Sequence, residues 1–132
     1  MKKIFFNAQI DKIIIDESLI IGFSWVNDSK DLSITVDWCG QEGLKDEFDF
    51  NNIITNLYFE FVTEAEFNFK FSELTMGALE ITSFNFTPKD KIWLIEFSFD
   101  FYPVGYIRFY CNDFKFVIEP KNSKNILSDS KN

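Results

Sequence analysis

Five carboxylates, Asp37, Glu42, Asp46, Glu47 and Asp49, surround the loop CGQEGLKDE at Cys39–Glu47. Two carboxylates facing one substrate across about 5–10 Å could cleave a glycoside. Asp37 and Asp49 would approach if their strands paired. A solvated acidic loop is the simpler reading and is preferred, because most charged residues are exposed. Asp28, Asp31 and Asp37 do not match the spacing of a calcium loop. The chain has no histidine, which removes the commonest general base and metal ligand. Cys39 and Cys111 are the only cysteines; they offer no CxxC and no second pair to complete a zinc site. No histidine can activate either thiol. The motifs GxSxG, GxGxxG and GxxxxGK are absent. These residues point to a protein that is not an enzyme and needs no metal or cofactor.

Lys and Arg number 13 against 21 Asp and Glu, a formal charge of −8. Nucleic-acid binding needs the opposite sign, to displace counterions from phosphates. Acidity suits a basic protein partner, and it also keeps an apolar chain soluble. The start MKKIFFNAQID has too short an apolar run for a signal peptide, with Asn7, Gln9 and Asp11 following at once. No apolar run approaches the roughly 18 residues of a membrane span. The expectation is a cytoplasmic protein whose two cysteines stay reduced and fill the core.

The elements that must position any site are strands. In KIWLIEFSFDF (Lys91–Phe101), Trp93, Ile95, Phe97, Phe99 and Phe101 alternate with Glu96, Ser98 and Asp100. That period of two gives a strand with one dry face, covered on both sides near Ile92 and Leu94. Leu19–Trp38 reads as a hairpin about Asn27–Lys30, with Phe23 and Trp25 going out and Leu32, Ile34, Val36 and Trp38 returning. Lys3–Asn7 is a first strand, and Ile13–Ile15 favours a short extended segment. Phe48 and Phe50 open a strand that continues, after a turn or bulge at Asn51-Asn52, with Leu57, Phe59 and Phe61 inward. Phe67, Phe69 and Phe71 line the next. A parity slip between Ile81 and Phe84 suggests a bulge near Thr82-Ser83. Thr87–Asp90 reads as a turn with Pro88 second. Ile107, Phe109 and Cys111, then Phe114, Phe116 and Ile118, complete the set.

Eighteen Phe, four Tyr and three Trp can supply a large core, at roughly 150–250 Å² each. The fold expected is all-β and mostly antiparallel, about ten strands in a two-sheet sandwich or a flattened barrel. Residues 1–120 form a single domain and 121–132 a flexible tail. A constant offset brings Phe23 and Trp25 onto Phe84 and Phe86, and Leu32, Ile34, Val36 and Trp38 onto Trp93, Ile95, Phe97 and Phe99. Two similar β-units, 1–61 and 62–120, would explain it; so would coincidence of element order in a β-meander, and both readings stay open.

Tyr102, Tyr106 and Tyr110 cluster around the turn Tyr102–Gly105, with Arg108 among them, and Tyr and Arg are common interface anchors. Covering a second core layer or the sheet edge is the preferred reading in a chain with 18 Phe. The runs DLSITVDW (Asp31–Trp38), FDFNNIITNLYFEF (Phe48–Phe61), IWLIEFSFDF and GYIRFYCNDFKF resemble small β-rich bacterial proteins, among them immunity proteins of polymorphic toxin systems. The resemblance covers residues 19–118 and brings no catalytic residues. It implies a noncatalytic binder that blocks a toxin by direct contact. A basic toxin domain would meet Asp28 and Asp31 in the hairpin turn and Glu42, Asp46, Glu47 and Asp49 in the acidic loop, with Tyr102 and Tyr106 as further contacts. The alternative is a small-molecule or carbohydrate binder with an aromatic-lined pocket.

Overall fold

The alternation that marks Ile92–Phe99 buries Ile95, Phe97 and Phe99 completely and leaves Glu96 and Ser98 half-exposed. This strand lies inside one of two antiparallel sheets. A computed structural model of the chain describes residues 2–44, 47–71, 79–101 and 103–121. Among the described residues ten strands run in chain order: β1 (Lys3–Phe6), β2 (Leu19–Val26), β3 (Asp31–Asp37), β4 (Ile53–Glu60), β5 (Thr63–Lys70), β6 (Leu79–Glu80), β7 (Ser83–Lys89), β8 (Ile92–Phe99), β9 (Val104–Cys111) and β10 (Asp113–Pro120). Six form a sheet in the order β1-β10-β4-β3-β2-β6, and four form a second in the order β5-β9-β8-β7. The sheets do not close into a barrel, so the sandwich is the architecture.

Between them lies a core of packed rings. Phe59 of the six-stranded sheet meets Phe109 of the other edge-on at 4.8 Å and Phe97 at 6.2 Å, and stacks on Phe114 at 5.9 Å. Such edge-on pairs add about 0.5–1.5 kcal/mol each beyond area burial. Leu32, Ile34 and Val36 of β3 are buried as their alternation requires. The β2–β3 turn uses positive φ at Asn27, Asp28 and Ser29 (52°, 60° and 65°), which Asn and Asp tolerate at least cost. Gly105 is needed for a different reason. At φ 150° a Cβ there would lie 1.8 Å from the Asn68 carbonyl oxygen of β5.

Several expectations change. Ile13–Ile15 is not a strand. A 3-10 helix spans Asn7–Lys12, and the segment after it is held by side chains. Trp38 Nε1 donates to the Ile14 carbonyl at 2.8 Å, Gln41 Oε1 accepts from the Ile14 N–H at 2.8 Å, and Gln41 Nε2 donates to the Lys12 carbonyl at 2.9 Å. Backbone groups satisfied this way need no ladder. Phe48 and Phe50 do not open a strand; Phe50–Asn52 is another 3-10 turn. The parity slip after Ile81 is no bulge. There the chain leaves β6 in one sheet and enters β7 in the other, with Ile81 fully buried at the corner. Bulges occur instead in β2, between Ile20 and Gly22, and in β5, between Thr63 and Glu66. Pro88 sits in the edge strand β7 opposite Trp93, and the turn tightens to Asp90-Lys91. Phe101 lies beyond β8 and is exposed. Cys111 is buried as expected, but Cys39 is exposed, and both are free thiols.

The meanders β2-β3-β4 and β7-β8-β9 occupy opposite sheets, which is how two similar units would face each other. The offset that superposes the halves also pairs β4 with β10. Those two are neighbours in one sheet, not counterparts in facing ones. The expected tail beyond Lys121 lies outside the described residues.

Candidate functional site

At one end of the six-stranded sheet the hairpin turn Asn27–Lys30 lies against the connection from β4 to β5. The Lys30 carbonyl accepts from the Val62 N–H at 2.8 Å. Asp31, first residue of β3, ties the two loops together: its carboxylate accepts from the Phe61 N–H at 2.9 Å and from Asn27 Nδ2 at 2.5 Å. The Phe61 N–H, and after it the Asn27 amide, hold the Asp31 carboxyl below the usual carboxylate range. Between these bonds Phe61 takes φ 55°, a conformation foreign to a bulky side chain. Its ring stands 54 % exposed.

Acids occupy positions next to Phe61 in the chain and in the sheet. Asp28 is in the turn, Glu60 ends β4, Glu64 is the second residue of β5, and Asp113 of β10 pairs with Glu60. Asp113 also accepts from Asn7 Nδ2 at 3.1 Å. Beneath them burial first, and then Asp113 and Glu60, push the Cys111 thiol up to about 12, so it stays protonated and inert. Lys30 and Lys115 lie at the same end, Lys115 5.6 Å over the Tyr58 ring, and Lys89 and Lys91 at the β7–β8 turn are at that end of the other sheet, where Trp93 pairs with Cys111. A surface depression of about 360 Å³ opens between Val26, Asp31, Tyr58, Glu60 and Lys115.

The residues expected to contact a partner do not converge. Asp28 and Asp31 share this tip, although Asp31 is engaged in holding Phe61. Glu42, Glu47 and Asp49 lie at the far end of the sheet, separated from it by the seven residues of β3, roughly 20 Å. There Glu47 pairs with Lys3 at 3.0 Å, and Asp49 accepts from the Asn51 N–H at 3.1 Å to cap a 3-10 turn. Asp46 and Tyr102 lie outside the described residues. Tyr106 is on the outer face of the four-stranded sheet, where its hydroxyl donates to Glu66 at 3.2 Å. Arg108 bridges Glu66 at 3.6 Å and Glu96 at 3.7 Å on that face. Among the described residues no three Asp, Glu or Cys side chains approach as metal ligands would.

The sequence reading missed Phe61, Glu60, Glu64 and Asp113. Phe61 shares the parity of Phe59, which is fully buried, so alternation assigns it to the core. Only the end of pairing at Glu60↔Asp113 releases it. No helix among the described residues is long and apolar enough to cross a membrane. Comparison with protein-family models, curated proteins and solved structures found no match.

Proposed function

We propose that this chain is a noncatalytic protein-binding module whose acidic tip docks a basic protein, and that this partner is a bacterial toxin domain which the chain neutralises as an immunity protein. Phe61 carries the proposal. A large ring held at positive φ and turned to solvent costs about 1–3 kcal/mol of backbone strain; contact with a partner would use it. Aromatic residues are enriched in binding surfaces, whose rim is polar. The neighbouring Asp28, Glu60, Glu64 and Asp113 supply the field that draws in a basic surface and speeds encounter at low salt. The small-ligand alternative has less support, since the large rings it would need are packed against one another in the core.

Co-expression tests the proposal. Toxic proteins encoded beside the gene should lose their effect on growth when this chain is produced with them. Phe61→Ala should weaken the complex by about 2 kcal/mol, the size of an anchor residue, and added salt should slow its association. Failure to rescue growth from every neighbouring toxin would overturn the immunity reading.

A further inference from the structure

The four free edges of a two-sheet sandwich invite pairing with other chains unless each is short, interrupted or covered. Two are protected here, and a third only in part. In the six-stranded sheet β1 has four residues and β6 has two; among the described residues β6 pairs only Leu19 and Ile20 of β2 and leaves the rest of that strand without a ladder partner on this side. In the four-stranded sheet β7 contains Pro88, which cannot donate to a ladder, and its Phe84 and Phe86 share a surface depression of about 230 Å³ with Ile10, Asp11 and Ile13 to Asp16. The fourth edge is β5, with eight residues and no proline. Its bulge between Thr63 and Glu66 ends at Glu66, so Glu66-Phe67-Asn68-Phe69-Lys70 is regular strand.

That pentapeptide is complementary to itself when read backwards. Paired antiparallel about Asn68, two copies set Glu66 against Lys70 twice, Phe67 against Phe69 twice, and Asn68 against Asn68. Glu66, Asn68 and Lys70 share the outer face with Arg108 and Tyr106, while Phe67 pairs with the buried Ile107 on the core face. Opposite charges and aromatic pairs directly across strands stabilise, and like charges destabilise. A one-residue slip would turn one copy's Phe face to solvent. A slip by two brings in Glu64, held at φ 51° within the bulge, or sets Lys70 against Asn68.

The flank behind β5 also fits such a partner. Phe67 is 40 % exposed and meets Phe23 of β2 edge-on at 5.6 Å. Phe23 and Trp25 pair with the fully buried Ile34 and Leu32, yet are 40 % and 45 % exposed. Phe71, just past β5, is exposed as well. This stretch of β2 carries no charge to fix a register; β5 does.

We propose that a second copy of this chain occupies the β5 edge, joining the two four-stranded sheets into one of eight strands about a two-fold axis at Asn68. The arrangement is isologous and closes at the dimer. It is independent of the acidic tip and its partner.

Sedimentation across a concentration series should find the native chain dimeric. Glu66→Lys and Lys70→Glu each turn both cross-strand attractions into repulsions. Each should weaken the dimer by about tenfold to a hundredfold. Mixing the two variants should restore it, since the paired lysines of one chain then oppose the paired glutamates of the other. Melting curves establish that each variant is folded. Asn68→Cys in a Cys39→Ser background supplies a second readout: residues paired across an antiparallel ladder lie about 4.5–5.5 Å apart at Cα, within disulfide range. Mild oxidation should link its two copies, while Asn85→Cys on the β7 edge in the same background should stay unlinked. A monomeric native chain overturns the proposal, as does a dimer that neither charge variant weakens or a mixture no tighter than its parts. A native monomer that dimerises once truncated after Lys121 also overturns it, in favour of the chain's own later residues as the occupant.

Discussion

The two flanks of this sandwich begin from the same pattern and finish differently. On one, Phe84 and Phe86 of β7 pack against Phe114, at 6.3 and 5.3 Å, and Phe86 also meets Trp93 at 5.9 Å, with Ile10 to Asp16 lying alongside. On the other, Phe23 and Trp25 of β2 point to the same interior and remain about half exposed beside Phe67. Alternation names the face a side chain occupies. Whether that face is covered depends on what the rest of the chain brings to it. Beside the closed flank lies Ile13–Ile15, a segment whose pattern suggested a strand and which is not one.

The sharpest break of this comparison lies beneath both flanks. Phe97→Asp would bury an unpaired charge under each sheet, and no cooperative melting transition should survive; a normal transition would contradict its place in the shared core. The flanks separate with two tryptophans. Trp38→Ala, on the closed side, removes the contacts with Phe50 and Phe116 and the bond to Ile14. It should cost about 3–5 kcal/mol in denaturant unfolding. Trp25→Ala on the open side should cost about 1 kcal/mol or less; equal losses would mean that the open flank is covered after all.

Smaller effects belong to the tip. Asp31→Asn should cost about 1–2 kcal/mol at neutral pH by weakening the charge-assisted bonds to Phe61 and Asn27. The folded carboxyl titrates below its unfolded value of about 4. Its contribution is therefore fully present above that pH and is lost as pH falls through the depressed folded value. The difference between native and variant chains should shrink there, and a constant difference would remove the assigned role. Smallest is a contrast of thiols. A maleimide at neutral pH should label Cys39 and spare Cys111 until the chain unfolds.

Most of the sheet architecture was legible because Leu32, Ile34 and Val36, or Ile95, Phe97 and Phe99, carry the period-two signal of a one-sided strand. The sequence misled where backbone bonds go to side chains, as at Ile14 with Trp38 and Gln41, and where a strand changes sheets, as at Ile81. At the tip, the turn that carries Asp28 was legible from turn chemistry, and Asp28 and Asp31 were named as contacts from their charge and the resemblance. Phe61 was lost because nothing local distinguishes the last inward residue of a strand from the first one past its end. The acids of Glu42–Asp49 looked alike in sequence to those of the tip, but their Lys3 partner and capping role are set by long-range geometry.

The position of β10 has a consequence for synthesis. It lies between β1 and β4 and supplies the ladder partner of each, Lys3↔Ile118 among them. On a ribosome β1 therefore emerges well before β10 and waits for it. At about 5–20 residues per second that delay is several seconds to about 20 seconds, during which Ile4 and Phe5 have no sheet to join. Folding must finish late and through contacts distant in sequence, a slow class of topology. The net charge of −8 then serves the nascent chain as much as the finished one, keeping unfinished copies apart until β10 arrives.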